Sequence, residues 1–286
     1  MSVAIKYKEL KLITKREGLN SQHVTEAIIK LVRSSLESLL VYPKLNIRSA
    51  IVGKEYFVFK NGDRLSRPIN KELFSEESLD FIGIFRDKTW ESILDSQLQK
   101  LLYTMAMSYC AAVDVISRAN KKSPSIFFEV FIGNMFAREY LVNPITQISI
   151  NLPEIQTNLP TDYLFQPTGQ FVKIHLPIKL STRERSVQAW AHQRVLEGMR
   201  GVGTYRGVMV VLTETNFVSK DLSVVEVCLP EQWRIYQMYI SRMTRIYYFD
   251  LPLKYAELPD RFPHIQVKHF ASFFREKDTL IRPDLV

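Results

Sequence analysis

The sequence changes its pattern near residue 145, and this change constrains the fold more than any other feature. Before it, apolar residues recur at helical spacing over residues 21–40, over most of 76–119, and again after Ser125. After it, short β-rich runs alternate with helical stretches at residues 183–199 and 231–243; the β-rich runs are QISINL, TDYLF, QFVKIHLPIKL, GVMVVLTE and LSVVEVCL. This order predicts an α/β (α+β) fold, with a mixed central sheet flanked by helices and a largely helical N-terminal part.

Charge and composition restrict the partners of the chain. It has 286 residues with 38 Lys or Arg against 30 Asp or Glu, which gives a net charge of +8. A basic folded surface favours a polyanionic partner such as nucleic acid, although solubility alone also accounts for it. No apolar run reaches the ~18 residues of a membrane span. The two cysteines, Cys110 and Cys228, lack metal-ligand spacing and suit a reducing cytoplasm.

Asp162 and Lys179 are predicted to meet at one end of the sheet. Asp162 begins one strand-like run, the turn residues Pro167-Thr168-Gly169-Gln170 follow it, and the next strand ends at Lys179. Strands joined by a short turn pair antiparallel, so the start of the first lies beside the end of the second. Two interpretations remain at this point: a plain ion pair, or a carboxylate that holds Mg²⁺ next to a lysine that positions a metal-bound water.

A helix is predicted to begin directly after Lys179. Ser181 and Glu184 have the spacing of a capping box, and Arg183 and Arg185 then lie in the first turn. Helix N-termini bind phosphates, and arginines read guanine edges. Polar side chains continue along the helix at Gln188, His192 and Gln193. These side chains face either DNA or solvent.

Glu129 interrupts an otherwise apolar helical run, FFEVFI. A carboxylate in such surroundings is costly unless it has a partner or a metal, or lies on a narrow polar stripe. His175, in contrast, has no second ligand at metal spacing, and we interpret it as an ordinary structural histidine.

Taken together, these residues resemble the PD-(D/E)xK type II restriction endonucleases, in particular the branch that cuts CCGG, CCNGG and CCWGG sites. The resemblance covers residues 123–197. The matching segments are Phe128-Glu129-Val130, Thr161-Asp162, Lys179, Ser181-Thr182 and Arg183-Glu184-Arg185 with Gln188. It implies a restriction-endonuclease-like fold, Mg²⁺ as cofactor, a homodimer on double-stranded DNA, metal binding by Asp162 and Glu129, and DNA binding by the segment that follows Lys179.

The sequence departs from this family at three positions. Thr161 replaces a proline, and Pro177 replaces the acid that the common form has two residues before the lysine. The branch has instead a glutamate on the following helix, thirteen or fourteen residues after the lysine, where this chain has His192 and Gln193. The second metal ligand could therefore be Glu129, His192 acting as a ligand or a proton shuttle, or the amide oxygen of Gln193.

These expectations lead to three hypotheses. The first is a cytoplasmic, Mg²⁺-dependent type II restriction endonuclease, with a mostly helical region at 1–120 for DNA contacts or dimerisation and a catalytic core at 121–286, or one compact domain overall. The second is a structure-specific or repair nuclease of the same superfamily. The third is a DNA-binding module with a degraded catalytic site, which the missing acid at 192 and 193 favours.

Overall fold

The structure, a computed structural model, describes residues 2–117, 120, 122–152, 155–169, 171–183 and 186–282. Its α-helices are α1 (Val3–Glu17), α2 (Gln22–Leu40), α3 (Ile82–Asp87), α4 (Asp95–Ile116), α5 (Ser123–Glu139), α6 (Ser186–Arg200), α7 (Pro230–Tyr239), α8 (Leu253–Ala256), α9 (Leu258–Arg261) and α10 (Phe273–Ile281). Short 3-10 helices cover Glu76–Phe81, Trp90–Ser92 and Phe270–Ser272. Among the described residues, no helix is both long enough and apolar enough to cross a membrane.

The strands occur in both halves of the sequence, between the helices. They are β1 (Lys44–Ser49), β2 (Tyr56–Asn61), β3 (Arg64–Leu65), β4 (Ile69–Asn70), β5 (Ile145–Leu152), β6 (Ile155–Phe165), β7 (Lys173–Leu176), β8 (Ile178–Lys179), β9 (Tyr205–Val211), β10 (Thr215–Val218), β11 (Ser223–Glu226), β12 (Met243–Tyr248) and β13 (Val267–His269). The predicted α/β class is confirmed, because mixed sheets are flanked by helices.

The chain divides into two compact units that differ from the predicted regions 1–120 and 121–286. The first contains Met1–Asn134 together with Glu214–Val227, and the second contains Met135–Thr213 and Cys228–Val286. The boundary between the units falls within α5, and the β10–β11 hairpin belongs to the first unit.

The first unit combines helices with a mixed sheet. Strands run in the order β10-β11-β1-β2-β3, with β4 also paired to β2, and β11 lies parallel to β1. Helix α2 begins after Ser21, whose hydroxyl accepts a hydrogen bond from His23 N. Every residue of α4 from Leu101 to Val113 is buried, so this helix forms the core of the unit, as its apolar sequence indicates.

The second unit contains the sheet that positions the candidate site. Its strands run in the order β13-β12-β9-β7-β6-β5, with β8 paired to β9. The β5, β6 and β7 strands are antiparallel, whereas β7, β9, β12 and β13 are parallel. Strand β9, YRGVMVV, is buried along its whole length, which is typical of a central parallel strand covered on both faces.

Helices α6 and α7 pack through aromatic side chains beside this sheet. Trp190 of α6 is fully buried, its indole N–H donates to Gln237 Oε1 at 2.8 Å, and its ring lies 5.5 Å from that of Trp233. Trp233 in turn stacks on Tyr255 at 4.0 Å. This aromatic core fixes α6 on the sheet, and α6 forms one wall of the site described next.

Candidate active site

Asp162 and Lys179 form an ion pair in the second unit. Lys179 Nζ lies 2.9 Å from Asp162 Oδ2, and the backbone N–H of Ile178 donates to the same oxygen at 2.8 Å. The predicted convergence of the two residues is confirmed. Asp162 lies inside β6 rather than at its start, since that strand begins at Ile155.

Pro177 brings the lysine to the aspartate. Strands β6 and β7 pair with Tyr163 opposite Leu176, which places Asp162 beside Pro177. Proline has no N–H to continue the ladder with β6. After it the chain keeps its parallel pairing with β9, where Ile178 lies opposite Val210, whereas the described ladder with β6 ends at Leu176. Because the ladder with β6 ends there, the N–H of Ile178 can donate to the Asp162 carboxylate.

The ion pair lines a small cleft. Its volume is about 170 Å³, and its lining residues are Pro160, Thr161, Asp162, His175, Pro177, Lys179, Gln188, Ala189 and His192. Sites for drug-sized ligands have roughly 300–1,000 Å³, and a water molecule takes roughly 30 Å³ of liquid. The cleft therefore has room for a hydrated cation and a phosphate oxygen, but not for a whole nucleotide.

The donor set fits a hard divalent cation. Both hydrogen bonds to Asp162 use Oδ2, so among the described residues Oδ1 is left for another ligand. Mg²⁺ commonly binds through one or two carboxylates and keeps several waters. Within the described part of the chain, no cluster of three or more His, Cys, Asp or Glu side chains has the geometry to hold a metal ion. A cation here would thus depend on Asp162, water and a few further atoms.

Gln193 does not reach the cleft, so the structure does not support its predicted role as a weak metal ligand. Its side chain is 1% exposed, and its Nε2 donates to Tyr205 O at 2.8 Å and to Glu197 Oε1 at 3.3 Å. Its Oε1 lies 3.0 Å from Nδ1 of His175. The amide is therefore engaged in the packing of α6 against the sheet.

His175 is the residue of the cleft that the sequence interpretation set aside. It is 1% exposed, and burial lowers its pKa to about 4. A signal for its place was available, because residues 175, 177 and 179 alternate along one strand segment and therefore share one face. No second histidine at metal spacing was needed to bring it beside Lys179.

His192 lines the cleft from α6, as a residue with a direct role must. It is half-buried, and its ring centroid lies 6.4 Å from that of His175. Burial lowers its pKa, and the nearby Lys179 lowers it further. Its imidazole is therefore neutral at neutral pH, and its predicted role as a ligand or proton shuttle stays a prediction.

Glu129 lies on α5 in the first unit, half-buried among apolar side chains. Burial and the charge of Glu129 together raise the pKa of Tyr7, a residue of α1, to about 12. The carboxylate thus has a neighbour within its own unit. Its predicted metal binding stays a prediction.

The segment after Lys179 is not helical where the capping box predicts it. Helix α6 begins at Ser186, five residues beyond Ser181, and residues 181–183 are not helical. Ser181 Oγ accepts instead from the backbone N and the Nε of Arg183, at 3.3 and 2.9 Å. Glu184 and Arg185 lie outside the described residues.

The predicted DNA-binding residues differ in exposure. Arg183 and Gln188 are exposed, Ser181 is half-buried, and Gln188 also lines the cleft. Thr182 is only 1% exposed, and this burial disfavours a direct contact with DNA. Arg183 and Gln188 therefore carry the prediction of DNA contact among the described residues.

Solved structures of two restriction endonucleases resemble this chain. The Type IIP restriction endonuclease Kpn2I has a TM-score of 0.79 and 23% sequence identity, over 96% of this chain and 97% of that one. The restriction endonuclease PspGI in complex with substrate DNA has a TM-score of 0.46 and 11% identity, over 72% of this chain and 90% of that one. No family model and no curated protein matches the sequence. The likeness to Kpn2I shows that the chain has a restriction-endonuclease fold.

Proposed function

We propose that this chain is a Mg²⁺-dependent type II restriction endonuclease that hydrolyses phosphodiester bonds in double-stranded DNA. The observation that carries the proposal is the ion pair of Asp162 and Lys179 in a cleft of this fold, with Oδ1 of the aspartate available. The chain acts as a homodimer in which each subunit cleaves one strand, because a two-fold protein matches a short palindromic site. The free thiols of Cys110 and Cys228 agree with work in the reducing cytoplasm.

The side chains of the cleft have different roles in the hydrolysis. Asp162 binds the divalent cation, which when bound neutralises charge on the phosphate under attack. The ammonium of Lys179 donates hydrogen bonds that orient the attacking water. The water oxygen bonds to phosphorus as the bond from phosphorus to the leaving oxygen breaks. Neutral His192 accepts the proton that the water loses.

Arg183 and Gln188 contact the DNA in this proposal. Both are exposed and close in sequence to the cleft, and arginine reads guanine bidentately in the major groove. A site that contains G:C pairs follows, with Arg185 as a second candidate reader outside the described residues. The net charge of +8 supports binding to a polyanion.

Digestion of a plasmid of known sequence tests the proposal. With Mg²⁺ we expect discrete fragments, and sequencing their ends gives the site and the stagger together. Asp162→Ala is expected to bind the same DNA without cutting it, whereas the exposed Asp221→Ala serves as a matched control that cuts normally. Cleavage by Asp162→Ala at the wild-type rate would show that the site is assigned wrongly. A smear or branch-specific products would identify a structure-specific nuclease instead.

A DNA-binding module without catalysis is the second candidate, and the lack of a carboxylate at 192 and 193 favours it. It predicts salt-sensitive binding, with log K falling by roughly 0.9 per contacted phosphate for each tenfold rise in salt. It also predicts no cleavage with either Mg²⁺ or Mn²⁺. The same plasmid experiment therefore separates the two candidates.

A further inference from the structure

The amide of Gln193 fixes which nitrogen of His175 carries the proton. Two acceptors, Tyr205 O and Glu197 Oε1, lie on one side of the amide and require the NH₂ group there. The carbonyl oxygen of the amide then faces His175, so Nδ1, at 3.0 Å, must be the donor. In a neutral imidazole with Nδ1 protonated, Nε2 has a free lone pair.

The sheet register places His175 on the same face as Asp162. His175 lies opposite Leu164, two residues along β6 from Asp162, so the two side chains are diagonal neighbours on one face. Lys179 has the same phase as His175 in its strand segment, and all three residues line the cleft. The ring of His175, whose Nε2 is not engaged by Gln193, therefore lines the same cleft as the ion pair.

Gly207 makes room for this arrangement. It lies opposite His175 on β9, directly beneath the Gln193 amide. A Cβ at this position would meet Gln193 Oε1 at 3.1 Å and would collide with Met243 Sδ. A larger residue at 207 would therefore displace the Met243 side chain and crowd the Gln193 amide. Residues from β7, β9 and α6 together hold the ring of His175.

We propose that Nε2 of His175 is the second protein ligand of the divalent-cation site, and that Gln193 is the positioning residue that sets its tautomer. The inference rests on the proposed function for Asp162. It assigns to an imidazole the place that a second carboxylate would otherwise fill. A metal-bound histidine whose other ring nitrogen donates to a fixed oxygen is the usual arrangement in proteins.

A mixed nitrogen and oxygen ligand set changes the metal preference. Imidazole strengthens binding of Co²⁺ and Ni²⁺ much more than binding of Mg²⁺, which prefers oxygen ligands. The site should therefore bind Co²⁺ more tightly than Mg²⁺ by a margin that depends on His175. Asp162 should support the binding of both ions.

Calorimetric titration of the full-length protein with Co²⁺ and with Mg²⁺ tests the proposal. We expect His175→Ala to lower the Co²⁺ affinity on the order of tenfold or more while changing the Mg²⁺ affinity little. Gln193→Leu should give a smaller loss of the same kind. Gln237→Leu is the matched control, since Gln237 is an equally buried, hydrogen-bonded glutamine beside α6 that touches Trp190 instead. Its Co²⁺ affinity should not change.

A Co²⁺ affinity in folded His175→Ala equal to that of the wild type would overturn the proposal. Loss of Co²⁺ and Mg²⁺ binding in Asp162→Asn would meanwhile leave the proposed function intact, so the two failures are distinguishable. Nitrogen-15 NMR of the histidine rings in the wild-type protein provides a second readout, because it does not depend on the folding of any variant. We expect a neutral, Nδ1-protonated ring for His175 and a Co²⁺-induced change at Nε2; an Nε2-protonated ring would contradict the assignment.

Discussion

Two ion pairs of the second unit join a carboxylate to a lysine, and they differ in how many carboxylate oxygens the protein uses. Glu276 Oε1 accepts from Arg245 at 2.8 Å and Tyr247 at 2.6 Å, and its Oε2 accepts from Lys268 at 2.7 Å and Arg245 at 3.0 Å. Within the described part of the chain, Asp162 is contacted only through Oδ2. The Glu276 cluster is complete without a ligand.

Burial alone does not separate the two carboxylates. The side chain of Glu276 is 15% exposed and that of Asp162 is 22% exposed. Asp162 differs because one oxygen remains in a cleft that it shares with two histidines. The comparison shows that unsatisfied acceptor capacity in a cleft, rather than an ion pair as such, distinguishes a candidate catalytic carboxylate from a structural one.

The largest contrast is expected between the two lysines. Lys179→Met should lower the DNA cleavage rate on the order of a thousandfold, because it removes a donor aimed at the reacting groups. Lys268→Met, the matched change in the Glu276 cluster, should leave the rate within about twofold of wild type once folding is confirmed. Single-turnover cleavage assays with saturating DNA measure both. Equal losses of cleavage rate in Lys179→Met and Lys268→Met would contradict the distinction between the two ion pairs.

Glu276→Gln should instead affect stability. Removing the charge leaves Arg245 with a weaker partner in a mostly buried network, and we expect the free energy of unfolding to fall by about 3 kcal/mol. Urea unfolding followed by circular dichroism measures the change. Glu231→Gln, on an exposed pair with Arg234, is the control and should stay within about 0.5 kcal/mol. A stable Glu276→Gln variant would mean that the cluster is not structural.

The two regions should lose stability in different pH ranges. His175 has its pKa lowered from 6.5 to about 4, so it favours the folded state fully above pH 6.5 and loses this contribution as the pH falls towards 4. In the metal-free protein, the His175 contribution should lower the free energy of unfolding by about 2 kcal/mol at pH 5 relative to pH 7.

The pKa of Glu276 is lowered from 4.5, because hydrogen bonds from Lys268 and Tyr247 outweigh its burial. Its contribution is therefore present above pH 4.5 and is lost below it. Urea unfolding in EDTA from pH 7 to 3.5 separates the ranges. His175→Gln should flatten the curve between about pH 4 and 6.5; an unchanged curve there would show that His175 is not neutral when folded.

The smallest expected effect concerns DNA recognition. Arg183→Ala should weaken specific binding by about 1–2 kcal/mol and relax the preference at one G:C pair, whereas non-specific binding changes less. Fluorescence anisotropy without Mg²⁺, using the cognate duplex and single-pair variants, measures both quantities. Arg234→Ala, on α7, is the control. A uniform loss on every duplex would assign Arg183 to the phosphate backbone.

The Asp162 and Lys179 pair could be predicted because it depends on local rules. Neighbouring strands with a short turn pair antiparallel, and a glycine at φ +104° in that turn, Gly169, agrees with the prediction. The start of α6 could not be placed from the spacing of Ser181 and Glu184, since residues 180–183 do not form a helix after β8. Ser181 therefore has a different partner from the one that its spacing indicates.

Features that depend on contacts between residues far apart in the chain could not be predicted from the sequence patterns. The run LSVVEVCL, which contains β11, was predicted as part of the second-half sheet, yet β11 pairs with β1 through Arg48 and Ser223, which are far apart in the chain. The orientation of the His175 ring likewise depends on a contact with Gln193 of α6, which lies 18 residues further along the chain. Periodicity shows which face a side chain takes, but not which helix will cover it.

The orientation of α6 also tells a protein engineer where a missing carboxylate could be restored. A glutamate grafted at 193 would be sealed beneath the helix, against the carbonyl of Tyr205 and the carboxylate of Glu197, and would repel both. Residue 192, in contrast, lines the same cleft as Asp162. Of the two helix positions, the thirteenth residue after the lysine and not the fourteenth is therefore the one at which an added carboxylate would line the cleft.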